Sequence, residues 1–317
     1  VSARLIDSTD PALPARRSAG GMDVLLAASL WGTTGTVLTA APAGADPVSV
    51  GAARIALGGA VLLAVAALSR TAAGDGGAPV RGRGLRRLLA LPRARWMLAL
   101  GAVCVAVYQT AFFAAVSRTG VATGTIVAIG SGPVFTGLIA LLTGGPRPTA
   151  RWAVSTACAV VGCAALVGGG RQAGVEPLGV SLALLSGLGY ASYATITSRL
   201  ITAGQEDRAV VAVLFSAAGA LLLPALAAGS PTWLLTVPGA LVTGYLGVVT
   251  TAGAYLLYAR GLRSTPVTAA TTLTLAEPAV AAVLGLVVLH ERLGGVALAG
   301  LALLTAGLVM LVAAGRR

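Results

Sequence analysis

The chain has 317 residues, 56% of them hydrophobic and only 10% charged, with a mean hydropathy of +0.89. Soluble domains carry about 25% charged residues, so this composition excludes a soluble globular protein, a disordered chain and a nucleic-acid binder, and it points to a polytopic membrane protein. The net charge of +12 rests on 22 basic residues, every one an arginine; without lysine there is neither a P-loop motor nor a Schiff-base cofactor.

A hydrocarbon core about 30 Å thick takes roughly 20 apolar residues of helix. Residues 1–21 are polar, contain proline and are expected to form a disordered cytoplasmic tail. Arg16-Arg17 ahead of an apolar run resembles a signal peptide, but its removal would spoil the charge parity below, so a retained first helix is expected. Span 1 (22–40) opens on Asp23, a charge suited to a helix N-terminus, and carries Trp31-Gly32. Span 2 (48–68) carries Arg54. The following loop holds seven arginines, and 85–91 reads either as a short basic interfacial segment or as a solvated loop. Spans 3 (96–115), 4 (120–142) and 5 (151–168) hold Tyr108, Gln109 and Pro133. Span 6 (178–199) brings Tyr190 and Tyr193, span 7 (209–228) is apolar, and span 8 (239–259) brings Tyr255 and Tyr258. Span 9 (266–289) carries Glu277-Pro278 and ends beside His290, the single histidine; span 10 is 294–314. Trp96, Trp152 and Trp233 fall near span ends and are expected to be interfacial anchors. The three cysteines lie inside spans as packing residues, and neither a metal site nor a cofactor is expected.

Ten spans put both termini on one side. That side holds 18 arginines, the other holds Arg118, Arg171 and Arg292, and Arg54 lies within the bilayer. The positive-inside rule places the arginine-rich side and both termini in the cytoplasm of a bacterial inner membrane. The positive charge is thus an orientation signal.

The chain also repeats itself. A shift of 145 residues lays 112–120 over 257–265, with Arg118 on Arg263, Thr123 on Thr268, Gly132-Pro133 on Glu277-Pro278 and Arg147 on Arg292. The units are 22–168 and 178–315, five spans each. An odd number inverts the second copy, an arrangement typical of alternating-access transporters. Pro133 and Pro278 fall inside corresponding spans 4 and 9; interrupted helices at matching places point to a transport site, and the alternative is a simple packing kink.

These features resemble the EamA-type transporters of the drug/metabolite transporter superfamily. The resemblance is clearest at 275–293, Leu-Ala-Glu-Pro followed by an apolar run and His-Glu-Arg-Leu, and extends to Trp31-Gly32, Pro47 with Arg54, and Gly-Pro-Val-Phe at 132–135. The first repeat departs from the family pattern with Gly132-Pro133 in place of Glu-Pro, and with Gly144-Gly145-Pro146-Arg147 where Gly-Glu-Arg is usual; His290 replaces a glycine. The resemblance implies an all-α bundle of ten transmembrane helices with a central cavity between spans 1–4 and 6–9, spans 5 and 10 at the periphery, and export of small metabolites or drugs. Uptake of a small metabolite and a membrane scaffold are the alternatives. An enzyme is not expected, because the spans lack clustered catalytic groups.

The candidate substrate-binding or gating residues are Trp31, Arg54, Tyr108, Gln109, Pro133, Tyr190, Tyr193, Tyr255, Tyr258, Glu277, Pro278 and His290. An intramembrane charge is costly and marks function by default. Arg54 suits a substrate carboxylate or phosphate, or a structural clamp. Glu277 suits a coupling proton if unpaired, or a structural pair with Arg54. The mid-span aromatics suit either a cavity wall or helix packing. The expected partners are a small-molecule substrate and the lipid bilayer. A monomer suffices, and a dimer through peripheral helices stays open.

Overall fold

The computed structural model describes residues 12–71, 80–145, 147–168, 176–288, 290 and 293–314. The chain is a helical bundle. Nine of its helical stretches, among the described residues, are long and apolar enough to cross a membrane. Helix α1 (Ala12–Gly32) begins well before the apolar run, within the segment expected to lack structure. It gives way at Thr33 to α2 (Thr34–Leu38). There the Thr33 hydroxyl donates to the Leu30 carbonyl at 2.7 Å, a local bond that competes with the helical ladder.

Helix α3 (Pro47–Leu68) is capped by Asp46, whose carboxylate accepts from the Ser49 amide at 2.8 Å. A two-residue antiparallel ribbon, Arg70–Thr71 with Val80–Arg81, leads to α4 (Arg83–Ala90), a short helix that covers most of the basic segment 85–91. Helix α5 (Pro92–Leu142) contains spans 3 and 4 joined at a kink; Gly120 takes φ +82°, a left-handed conformation suited to glycine. Helices α6 (Ala150–Gly168), α7 (Pro177–Thr202) and α8 (Asp207–Ala228) follow. Span 8 is built of α9 (Val237–Tyr245), a π-helical stretch (Leu246–Gly253) and α10 (Ala254–Gly261). The wide turn is held by the Thr250 and Thr251 hydroxyls, which both donate to the Leu246 carbonyl at 2.9 and 2.8 Å. Span 9 is two helices, α11 (Val267–Leu273) and α12 (Ala276–Val287), and α13 (Gly295–Ala314) closes the bundle.

The pairing of helices is reciprocal between the repeats. Helix α7, first of the second repeat, packs on α5; helix α1, first of the first repeat, packs on α10, α11 and α12. Helix α3 packs on its counterpart α8, and α6 on its counterpart α13. Lipid supplies no hydrophobic drive between helices, so close backbone approach does that work. A side chain at Gly59 would strike the Phe215 backbone and one at Gly219 the Ala56 backbone; Gly162, Gly300 and Gly307 bring α6 and α13 together in the same way.

Two tryptophans read as interfacial anchors are instead packing residues. Trp152 donates its indole N–H to the Thr268 carbonyl at 3.0 Å. Trp233 is buried and donates to the Ser49 hydroxyl at 3.3 Å. Proximity to a span end did not distinguish lipid contact from helix contact. Trp96, at 79% exposure, fits the anchor role.

Candidate functional site

A cavity of about 730 Å³ lies between the repeats. Its lining includes Tyr108, Gln109, Tyr190, Tyr255 and Thr274, together with Arg54 and Glu277. It reaches Ala41, Ala45, Val167 and Leu293 at the arginine-poor end. Spans 1–4 supply half of the lining residues. The end of α6 reaches it through Leu166 and Val167, so span 5 is not wholly peripheral.

Arg54 comes from the second turn of α3 and donates weakly to the Gln109 carbonyl oxygen, at 3.4 Å. Its Nε is buried without a partner, as are the Trp31 indole N–H and the Thr34 hydroxyl, which belong to the same cavity. Buried donors without acceptors are costly. Glu277 sits in the first turn of α12, immediately after the break. Arg54 and Glu277 face one cavity but form no ion pair with each other; ion pairs are seen instead at Arg118–Glu176, Arg260–Asp23 and Arg263–Asp207. The structural Arg54–Glu277 pair considered from the sequence is therefore absent, because each side chain projects into the cavity from its own wall.

The break that positions Glu277 has a local cause. Proline at 278 lacks the N–H that would reach the Thr274 carbonyl. The ladder tightens instead: Leu275 N–H bonds the Thr272 carbonyl at 3.1 Å and Glu277 N–H the Thr274 carbonyl at 3.0 Å. The Thr274 hydroxyl takes the Thr271 carbonyl at 2.8 Å.

Of the other candidates, Trp31, Tyr108, Gln109, Tyr190, Tyr255 and Pro278 line the cavity. Tyr193 and Tyr258 lie behind it. Tyr193 packs edge-on against Tyr190 and Phe215, and Tyr258 stacks near Trp31 with ring centroids 5.5 Å apart. They support the wall. Pro133 is buried inside an unbroken helical stretch and does not line the cavity. His290 is exposed, with φ 54°, beyond the end of α12 and away from the lining. Among the described residues no group of three or more His, Cys, Asp or Glu is placed to hold a metal.

Two ion pairs at the arginine-rich end were not read from the sequence. Asp23, taken as a helix N-terminal charge, accepts from Arg260 Nε and Nη2 at 2.7 and 2.5 Å, joining α1 to α10. Asp207 accepts from Arg263 at 2.6 Å, joining α8 to the end of span 8. Both aspartates are buried. Their only sequence signal is an acid at the start of a span, which fits a cap equally well.

The helical bundle, its buried charges and its cavity between two similar five-helix units define a multi-pass membrane protein of the transporter type. The EamA-like transporter family matches twice, at residues 19–168 and 177–313, and the chain belongs to that family. It is 37% identical over 295 residues to "Uncharacterized transporter YwfM" of Bacillus subtilis (strain 168), covering 93% of this chain and 94% of that protein. It is 32% identical over 201 residues to "Uncharacterized transporter YdeK" of the same organism, covering 61% and 66%. A solved structure titled "Crystal structure of protein" shares the fold at 20% identity, with a TM-score of 0.76 over 95% of this chain and 98% of that one.

Proposed function

We propose that the protein is a secondary transporter that exports a small organic metabolite or drug across the bacterial inner membrane by alternating access. The observation that carries this reading is the cavity, lined from both repeats, with Arg54 and Glu277 unpaired to each other and the donors of Trp31, Thr34 and Arg54 unsatisfied. A solute bearing acceptor oxygens satisfies those donors, and its apolar part fits Phe112, Phe113 and Tyr190. With no lysine there is no P-loop, so an ion or solute gradient drives the cycle. Glu277 is the candidate for carrying a coupling proton.

In this reading the arginine-rich end and both termini are cytoplasmic. The structure is then the outward-open member of the cycle, with the Asp23–Arg260 and Asp207–Arg263 pairs closing the cytoplasmic end. Export is the direction the family resemblance favours. The test is mass spectrometry of the medium from cells with and without the gene, and from cells carrying Glu277→Gln. The expected result is a set of solutes enriched outside only when the gene is present, with enrichment lost in Glu277→Gln. No gene-dependent solute in either direction overturns transport; gene-dependent depletion from the medium establishes uptake; a Glu277→Gln protein with full activity and unchanged pH dependence removes the proton role.

A further inference from the structure

Tyr190 lines the cavity, and its hydroxyl reaches the break of span 9 at the cavity wall, where Thr274 also lines it. Tyr190 OH and Thr274 Oγ1 are 2.8 Å apart. Thr274 has one hydroxyl proton, and it is spent on the Thr271 carbonyl. Tyr190 must therefore be the donor, which fixes a one-way relay from the Tyr190 O–H to Thr274 Oγ1 to the Thr271 carbonyl. That carbonyl is the one the tightened ladder has released, since the Leu275 N–H turns to Thr272. The relay thus satisfies the backbone acceptor that the break leaves open.

The same half-turn is held from behind. Thr272 Oγ1 donates to the Thr268 carbonyl at 3.0 Å, so the Thr156 hydroxyl, 2.9 Å away, donates to Thr272. Trp152 donates to that same Thr268 carbonyl. The α6 bonds fasten the body of α11, whereas the Tyr190 bond alone falls at the break, three residues before Glu277. The ring of Tyr190 lines the cavity and lies against Gly132, which has no side chain to displace it.

We propose that Tyr190 is a positioning residue: its hydroxyl holds the α11–α12 break closed on Thr274 and so sets the placement of Glu277, while its ring carries cavity occupancy to that hinge. This deepens the transport reading and uses its cavity, but its test needs no substrate, so the two can fail separately. The full-length protein in lipid nanodiscs is compared as wild type, Tyr190→Phe, Thr274→Val, Thr274→Ser and Tyr193→Phe. Hydrogen–deuterium exchange is read on peptides covering 274–280. Reaction of Glu277 with dicyclohexylcarbodiimide, a probe of carboxyls in apolar surroundings, is read by peptide mass. Loss of one neutral hydrogen bond corresponds to about three- to tenfold faster opening. Tyr190→Phe and Thr274→Val are expected to show that acceleration and a changed Glu277 labelling rate. Thr274→Ser keeps the hydroxyl and is expected to behave as wild type, as is Tyr193→Phe, whose hydroxyl meets Tyr255 instead. Wild-type exchange and labelling in Tyr190→Phe, or an equal effect from Tyr193→Phe, overturns the proposal.

Discussion

Residues 123–142 of α5 and the α11–α12 pair are the same span in the two repeats, with proline at the same position, and only the second is broken. A proline removes one donor in either place. The difference lies in the neighbours. Around Pro278, Thr271, Thr272 and Thr274 bring hydroxyls that compete for backbone carbonyls; the Thr274 hydroxyl takes the released Thr271 carbonyl and is itself met by Tyr190, while Trp152 and Thr156 hold the body of α11. Around Pro133 a buried Thr136 bonds back to Gly132 within the same helix, and among the described residues no side chain of another helix is seen to donate into the turn. Knob and hole are also exchanged. Span 4 offers Gly132 to the Tyr190 ring, whereas span 9 presents Glu277 with its backbone against Gly32 of α1. One ancestral pattern has become a packed strut in the first repeat and a jointed, charged arm in the second.

The most severe way to break this contrast is to give the first repeat the acid of the second. Gly132→Glu places a carboxylate where the Tyr190 ring sits. It is expected to cost on the order of 3 kcal/mol or more and to abolish recovery of monodisperse protein by size-exclusion chromatography. Straightening the arm is milder. Pro278→Ala restores the donor to the Thr274 carbonyl and is expected to slow amide exchange across 274–280, whereas Pro133→Ala changes thermal stability by about 1 kcal/mol at most. Removing one fastening of α11, Thr156→Val, is expected to cost about 0.6 kcal/mol in a thermal melt in detergent. At the two ends of the bundle, Asp23→Asn is expected to lower the melting midpoint more than Glu176→Gln. The first removes the charge and one of the two accepting oxygens of a buried carboxylate, setting an NH2 donor against the Arg260 guanidinium, and the second breaks an exposed single-contact pair of the kind that contributes little.

Composition and the spacing of apolar runs made the helical bundle legible, and the ordered matches at a 145-residue shift made the two repeats legible. Arg54 and Glu277 stood out because charge is rare in a span, and both line the cavity. The aromatic residues were less separable. Tyr190 and Tyr193 are three apart on one helix, yet one faces the cavity and the other the core, since periodicity gives a face but not the neighbour across it. The ion pairs at the arginine-rich end were hidden for a further reason. Asp23 and Arg260 are joined only by the fold, through the close approach of Gly20 to Gly261. Proline alone misled at residue 133, because whether a helix breaks depends on donors supplied by other helices.

The π-helical turn at Leu246–Gly253 has a consequence for how span 8 serves two masters. A π turn holds an extra residue, and each residue of an α-helix advances the azimuth by about 100°. The stretch therefore works as an angular offset: after it Tyr255 and Tyr258 meet Trp31, and before it Val242 shares a buried cluster with Trp233. Excision of one residue, such as Val249, would restore a uniform screw and swing one half by roughly a quarter turn against the other. Either the aromatic wall or the Trp233 cluster would then face the wrong neighbour. The single supernumerary residue is what lets one rod satisfy two unaligned sockets.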